Sequence, residues 1–198
     1  MSKSMFPVRV LIAGVPRSGS TWCFNAVRLL VERSGVSTHS AWYADYEAEH
    51  DAEWHIIKAH QPDQVEFEPS ITITTARDVS ECVASLIRMG WVVDAPQDIL
   101  NAAKAHTALY EYWNARSACE IQFELIGRNP ETAVRQLAKA MRIAETYVED
   151  VAAVLSSIEP PSEGAYSRET LLHPDHIGDG RESAARVARV REILAESA

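Results

Sequence analysis

The amino-acid sequence predicts a three-layer α/β domain, with helices on both faces of a mainly parallel sheet of four or five strands. The first observation behind this is Val8 to Ala13 (VRVLIA), a short apolar run with β-branched residues that stops at Gly14. Such a run reads as a strand buried on both faces. The second is the segment Ser20 to Arg33, where Trp22, Ala26, Leu29 and Leu30 keep helical spacing before Gly35 supplies a stop. The third is repetition: strand-like runs recur at 55–59 (HIIKA), 71–76 (ITITTA) and 119–123 (CEIQF), with helical patterns between them.

The intervening elements follow from local signals. Asp78 is placed to cap a helix, with Glu81 three residues on. Val79, Val83, Leu86 and Ile87 form that helix's apolar stripe, and Gly90 ends it. Further helices are expected over Gln97–Arg116, Pro130–Met141 and Thr146–Ser156, and a last one around Val187, Val190 and Leu194. Ile158 to Gly180, with three prolines, reads as a long loop. No repeat or linker divides the chain, so residues 1–198 are expected to form one domain.

Composition narrows the functional classes. A net charge of −9 argues against general affinity for nucleic acid or anionic membranes. No run reaches the roughly 18 apolar residues of a membrane span, and Met1–Phe6 lacks a secretory h-region. Cys23, Cys82 and Cys119 are scattered, which fits neither a disulfide framework nor a zinc site, so a cytoplasmic protein is expected. His173-x-x-His176 is a weak metal signal in a proline-bearing loop, and no metal is expected.

The segment between the first strand and helix carries the chemistry. Gly14-Val15-Pro16-Arg17-Ser18-Gly19-Ser20-Thr21 has the glycine and threonine spacing of G-x-x-x-x-G-K-[ST], a loop whose backbone N–H groups wrap phosphates. Ser20 replaces the lysine, and the cation has moved to Arg17. Losing that lysine removes the contact that serves γ-phosphate transfer. An anion site at the helix N-terminus remains.

Pro16 to Trp22 (PRSGSTW) resembles the 5′-phosphosulfate loop of the sulfotransferases that use 3′-phosphoadenosine 5′-phosphosulfate (PAPS), written P-[KR]-S-G-[ST]-[ST]-W. Further segments resemble that family in order. Ile57 to Pro62 (IKAHQP) is similar to its IKTHLP strand end; Arg77 with Ser85 eight residues on is similar to its 3′-phosphate signature. Ile121 to Leu125 with Asn129-Pro130 matches its V-x-Y-E-D-L…x-P segment, with Phe123 at the usual tyrosine. His176 to Arg181 resembles the C-terminal loop that closes over the nucleotide.

The resemblance implies a P-loop kinase-like sulfotransferase fold and transfer of the sulfuryl group from PAPS to a hydroxyl or amine of a small-molecule or carbohydrate acceptor. It implies His60 as general base, Lys58 and Arg17 stabilising the leaving bisphosphate, and Arg77 and Ser85 on the 3′-phosphate. Arg17, Ser18, Gly19, Ser20, Thr21, Trp22, Phe123, Gly180 and Arg181 would complete the nucleotide site. On residues alone, other readings stand beside these. Lys58 and His60 could belong to a solvated strand face, Ser85 to a wet helix face with Glu81 and Arg88, and Trp22 to the core. Trp42, Tyr43 and Tyr46 could wall an acceptor pocket or lie in a solvated loop, and Trp91 could form a rim. Competing functions are a P-loop small-molecule kinase or NTPase, and a non-catalytic nucleotide-binding protein.

Overall fold

The VRVLI run becomes the central strand of a five-stranded sheet. The computed structural model describes residues 7–164, 166–174 and 184–197. Strands β1 (Val8–Ile12), β2 (Thr38–Trp42), β3 (Trp54–Lys58), β4 (Ile71–Ala76) and β5 (Cys119–Gln122) lie in the order β2-β3-β1-β4-β5, every pair parallel. The helices are α1 (Ser20–Arg33), α2 (Val79–Arg88), α3 (Pro96–Asn114), α4 (Phe123–Arg128), α5 (Pro130–Met141), α6 (Val148–Ser157) and α7 (Ala184–Ala195).

Alternation along the strands sends side chains to both faces, and each face is covered by helices. On one, Phe24 and Leu30 of α1 pack with Val10, Ile12, Ile56 and Ile73 of the sheet, backed by Leu137 of α5 and Val151 of α6. On the other, Leu11, Ala13 and Ala59 meet Trp113 of α3. Beyond it, Val83 of α2, Ile99 of α3 and Val190 of α7 pack together. Each fully buried large aliphatic contributes about 1.5–3 kcal/mol through removal from water. The helix starts follow local chemistry: Asp78 Oδ1 accepts from the Glu81 amide at 3.2 Å, and Asn129 caps α5 with Pro130 in its first turn.

The sheet has one strand the sequence does not announce. Thr38–Trp42 (THSAW) lacks apolar alternation, and only Ala41 is buried. It is an edge strand, held by its register against β3 from Thr38 beside Trp54 to Trp42 beside Lys58. Its crossover to β3 contains no α-helix. A ring cluster takes that place: His39 stacks on His50 at 4.3 Å, and Tyr46 Oη lies 2.8 Å from His55 Nδ1. His55 Nε2 meets the His50 carbonyl at 3.1 Å, so Nε2 carries the proton and Nδ1 accepts from Tyr46. Burial pushes the pKa values of His39 and His55 down, keeping both neutral at pH 7.

A second difference concerns Phe123. The CEIQF run stops being a strand at Gln122, and Phe123 opens the short helix α4. The reason is tertiary, because the Phe123 ring is drawn under Arg77, 4.0 Å from its guanidinium, and against Gly19.

Candidate active site

The carboxyl ends of β3, β1 and β4 bring the candidate residues together. The chain leaves β1 for α1 on one face and leaves β4 for α2 and α3 on the other. Such divergence opens a crevice at the strand ends, where α/β sheets bind ligands.

The loop from Gly14 to Gly19 fills that crevice. Gly19, at φ 98°, is the residue before α1, and no side chain caps the helix. Its first-turn N–H groups therefore point outward as an anion-binding end. Ser18 is fully buried: its hydroxyl donates to the Val15 carbonyl at 2.6 Å and meets Thr75 Oγ1 of β4. Gly14 has no room for a side chain, since a Cβ there would lie 2.2 Å from Thr75 Oγ1 and 2.6 Å from Ser20 Cβ. Gly14→Ala is accordingly expected to cost about 3 kcal/mol through overpacking. Thermal denaturation should read this as a melting temperature lower by roughly 6–12 °C.

Three cations converge on the loop. Lys58, at the end of β3 and 6% exposed, donates from Nζ to Thr21 Oγ1 at 2.8 Å and lies 5.4 Å from the Trp42 ring. Burial, with the neighbouring Arg17 charge, pushes its pKa down to about 7. Arg17 itself is left-handed at φ 68°, and its Nε donates to Ser85 Oγ at 2.9 Å. Arg77 donates from Nη1 to the Arg17 carbonyl at 3.0 Å and from Nε to Glu81 at 3.0 Å. Arg77 thus clasps the loop, and an anion would share it with Glu81. Ser85 is 1% exposed, which rules out the wet helix face.

His60 follows β3 and is fixed on several sides. Its Nδ1 is 2.6 Å from the Gly14 carbonyl, an acceptor only, so Nδ1 carries the proton and Nε2 is the basic nitrogen. Its own amide donates to Gln64 Oε1 at 2.9 Å, and its carbonyl accepts from Trp113 Nε1 at 2.8 Å. The Trp42 ring stands edge-on to it at 5.3 Å.

A cavity of about 370 Å³ opens over Lys58 and His60, walled by Trp42, Trp91, Tyr166 and Leu171, with Asp45 and Arg168 in its lining. The segment carrying Tyr166 and Leu171 is tied to α1. Asn25 Nδ2 donates to the Thr170 carbonyl at 2.7 Å, and the buried Arg28 pairs with Glu169 at 3.1 Å. Trp42, placed by sequence in either a wall or a loop, ends β2 and forms part of this wall.

Arg17, Ser18, Gly19, Ser20, Thr21, Lys58, His60, Arg77, Ser85 and Phe123 therefore occupy one neighbourhood. Trp22 is partly buried against the main core. Gly180 and Arg181 lie outside the described residues, as does His176. Sequence reasoning missed Thr75, Gln64, Trp113 and Arg168, and Asp45, read within an acidic solvated run, instead lines the cavity. Gln64 alone carried a usable signal, as the fourth residue of a Gln61-x-x-Gln64 capping box.

Compared with known proteins, the chain matches no family model and no curated protein.

Proposed function

We propose that the chain is a sulfotransferase of P-loop kinase-like fold that moves the sulfuryl group from PAPS to an acceptor hydroxyl or amine. The observation that carries this reading is the placement of Lys58 and His60 against the phosphate loop, on Thr21 and Gly14, at the floor of one apolar cavity. The nucleotide fits the residues present. The uncapped start of α1 and Arg17 would hold a 5′-phosphate, and Ser85 and Arg77, both bonded to Arg17, would hold a 3′-phosphate.

In transfer, an acceptor oxygen attacks sulfur while the S–O bond to the 5′-phosphate breaks and its electron pair stays on that phosphate. His60 Nε2 receives the acceptor proton. Lys58 and Arg17 offset the charge growing on the leaving oxygen. The competing NTPase reading needs the Thr21 hydroxyl for Mg²⁺. Here that hydroxyl accepts from Lys58 instead.

Calorimetry with adenosine 3′,5′-bisphosphate and with ATP–Mg²⁺ separates the two. Tight binding of ATP–Mg²⁺ alone would sink the sulfotransferase reading. The bisphosphate titration should also take up a proton. Lys58 has a pKa of about 7, and an added phosphate restores its charge, so binding near pH 8 draws a proton from buffer. Affinity should then fall by up to about tenfold per pH unit as pH rises above 7. Titrations in buffers of different ionisation enthalpy measure that uptake, and zero uptake would remove Lys58 from contact with the phosphates.

A further inference from the structure

The cavity over Lys58 and His60 has a neighbour. A second cavity of about 410 Å³, lined by His39, Ser40, Tyr46 and Glu47, shares Trp42, Asp45 and Arg168 with the first. The two adjoin along these three residues as a trough in two parts, an inner one at the proposed base and an outer one at β2.

The chemistry changes along that trough. The inner end is aromatic, with Trp42, Trp91 and Tyr166, and suits a planar ring. The outer end is polar and follows a strand with no neighbour on its free side among the described residues. The Trp54 amide donates to the Ser37 carbonyl at 3.1 Å, so Ser37 faces β3. Alternation turns His39 and Ala41 the same way and leaves the Ser40 backbone N–H and C=O facing outward. Asp45 and Glu47 line this end, with Glu49 and Asp51 exposed further along the same connection.

We infer that the acceptor is a tyrosine-bearing peptide segment, its ring in the aromatic end of the trough and its backbone extended along the free edge of β2, with cationic flanks. The inference rests on the sulfotransferase reading of the site. An extended peptide presents N–H and C=O groups at the repeat an edge strand can pair, which a lone phenol does not. Against Arg168, the carboxylates Asp45 and Glu47 leave the outer lining with a net negative charge, extended by Glu49 and Asp51, which favours lysine or arginine beside the tyrosine and disfavours acidic neighbours. The tyrosyl oxygen attacks the sulfur of PAPS, the S–O bond to the 5′-phosphate breaks with its electrons left on that phosphate, and the phenolic proton passes to His60.

The test compares three acceptors with sulfur-labelled PAPS: a short peptide with one tyrosine between lysines, the same peptide with glutamates, and 4-methylphenol. The lysine peptide should exceed both others in kcat/KM by about tenfold or more, over 4-methylphenol through one or two added backbone hydrogen bonds and over the glutamate peptide through its charge beside Asp45 and Glu47. Ser40→Pro removes the outward N–H at an edge position where proline is tolerated, and an unchanged melting temperature would verify its folding. In that variant the preference for the lysine peptide over 4-methylphenol should collapse. Equal use of peptide and phenol, a preference that survives Ser40→Pro, or bisphosphate binding with no transfer to the peptide each overturns the inference. Failure of the bisphosphate itself to bind overturns the sulfotransferase reading and the inference with it.

Discussion

His60→Gln should lower the rate of sulfuryl transfer by roughly 10²–10⁴-fold while bisphosphate affinity stays within a few-fold of the parent. Glutamine is the informative replacement because His60 does two things. Its Nδ1–H holds the Gly14 carbonyl at 2.6 Å, and its ring stands against Trp42. Alanine would remove the base and release the loop together. Glutamine keeps a donor for the Gly14 carbonyl and has no nitrogen that accepts a proton near neutrality. Single-turnover rates give the chemical step, and calorimetry gives binding. A variant that retains transfer would show that His60 shapes the loop and takes no proton. One that loses binding and transfer equally would assign the residue a purely structural part.

Lys58→Met should reduce the single-turnover rate by about 10²–10³-fold, the scale set by removing one preorganised charge from a forming oxyanion. It should also abolish the proton uptake that accompanies bisphosphate binding. Stability moves independently. In the folded chain Lys58 titrates near 7 against 10.5 when unperturbed. The unfolded state thus binds more protons between those values. The stability Lys58 contributes is fully present above about 10.5 and is lost as pH falls to about 7. Methionine carries no such charge, so the variant's melting temperature at pH 7 should match or exceed the parent's while transfer collapses. Chemical denaturation across pH 7–10 reads this directly: the parent's stability climbs more steeply than that of Lys58→Met. Parallel pH curves would mean that Lys58 is not desolvated in solution.

The parts of the fold written in short stretches of chain were legible. The β1 run, the turn at Gly14, the Asp78 cap and the apolar stripe of α2 each depend on residues within a few positions of one another. β2 was not legible because an edge strand buries little: THSAW needs β3 beside it to be a strand at all. Phe123 was misplaced for a related reason, since it leaves the strand to meet Arg77 and Gly19, partners distant in sequence. The candidate site divides in the same way. Lys58 and His60 stood out by motif spacing, whereas their partners Thr21 and Gly14 lie 37 and 46 residues away. Arg168 gave no signal because it sits in a long segment without helix or strand periodicity.

Arg17 holds φ at 68°, a conformation that costs a side-chain-bearing residue roughly 1–2 kcal/mol. Glycine would take the same turn with less strain, and the Arg77 clasp on the carbonyl would survive the change. Against that relief stands the hydrogen bond from Arg17 Nε to the buried Ser85 hydroxyl, whose loss costs about 1–3 kcal/mol, so the strained angle is held by a contact of similar size. The arginine at the proposed nucleotide site therefore sits on a backbone angle that the surrounding structure, and not the residue's own preference, keeps in place.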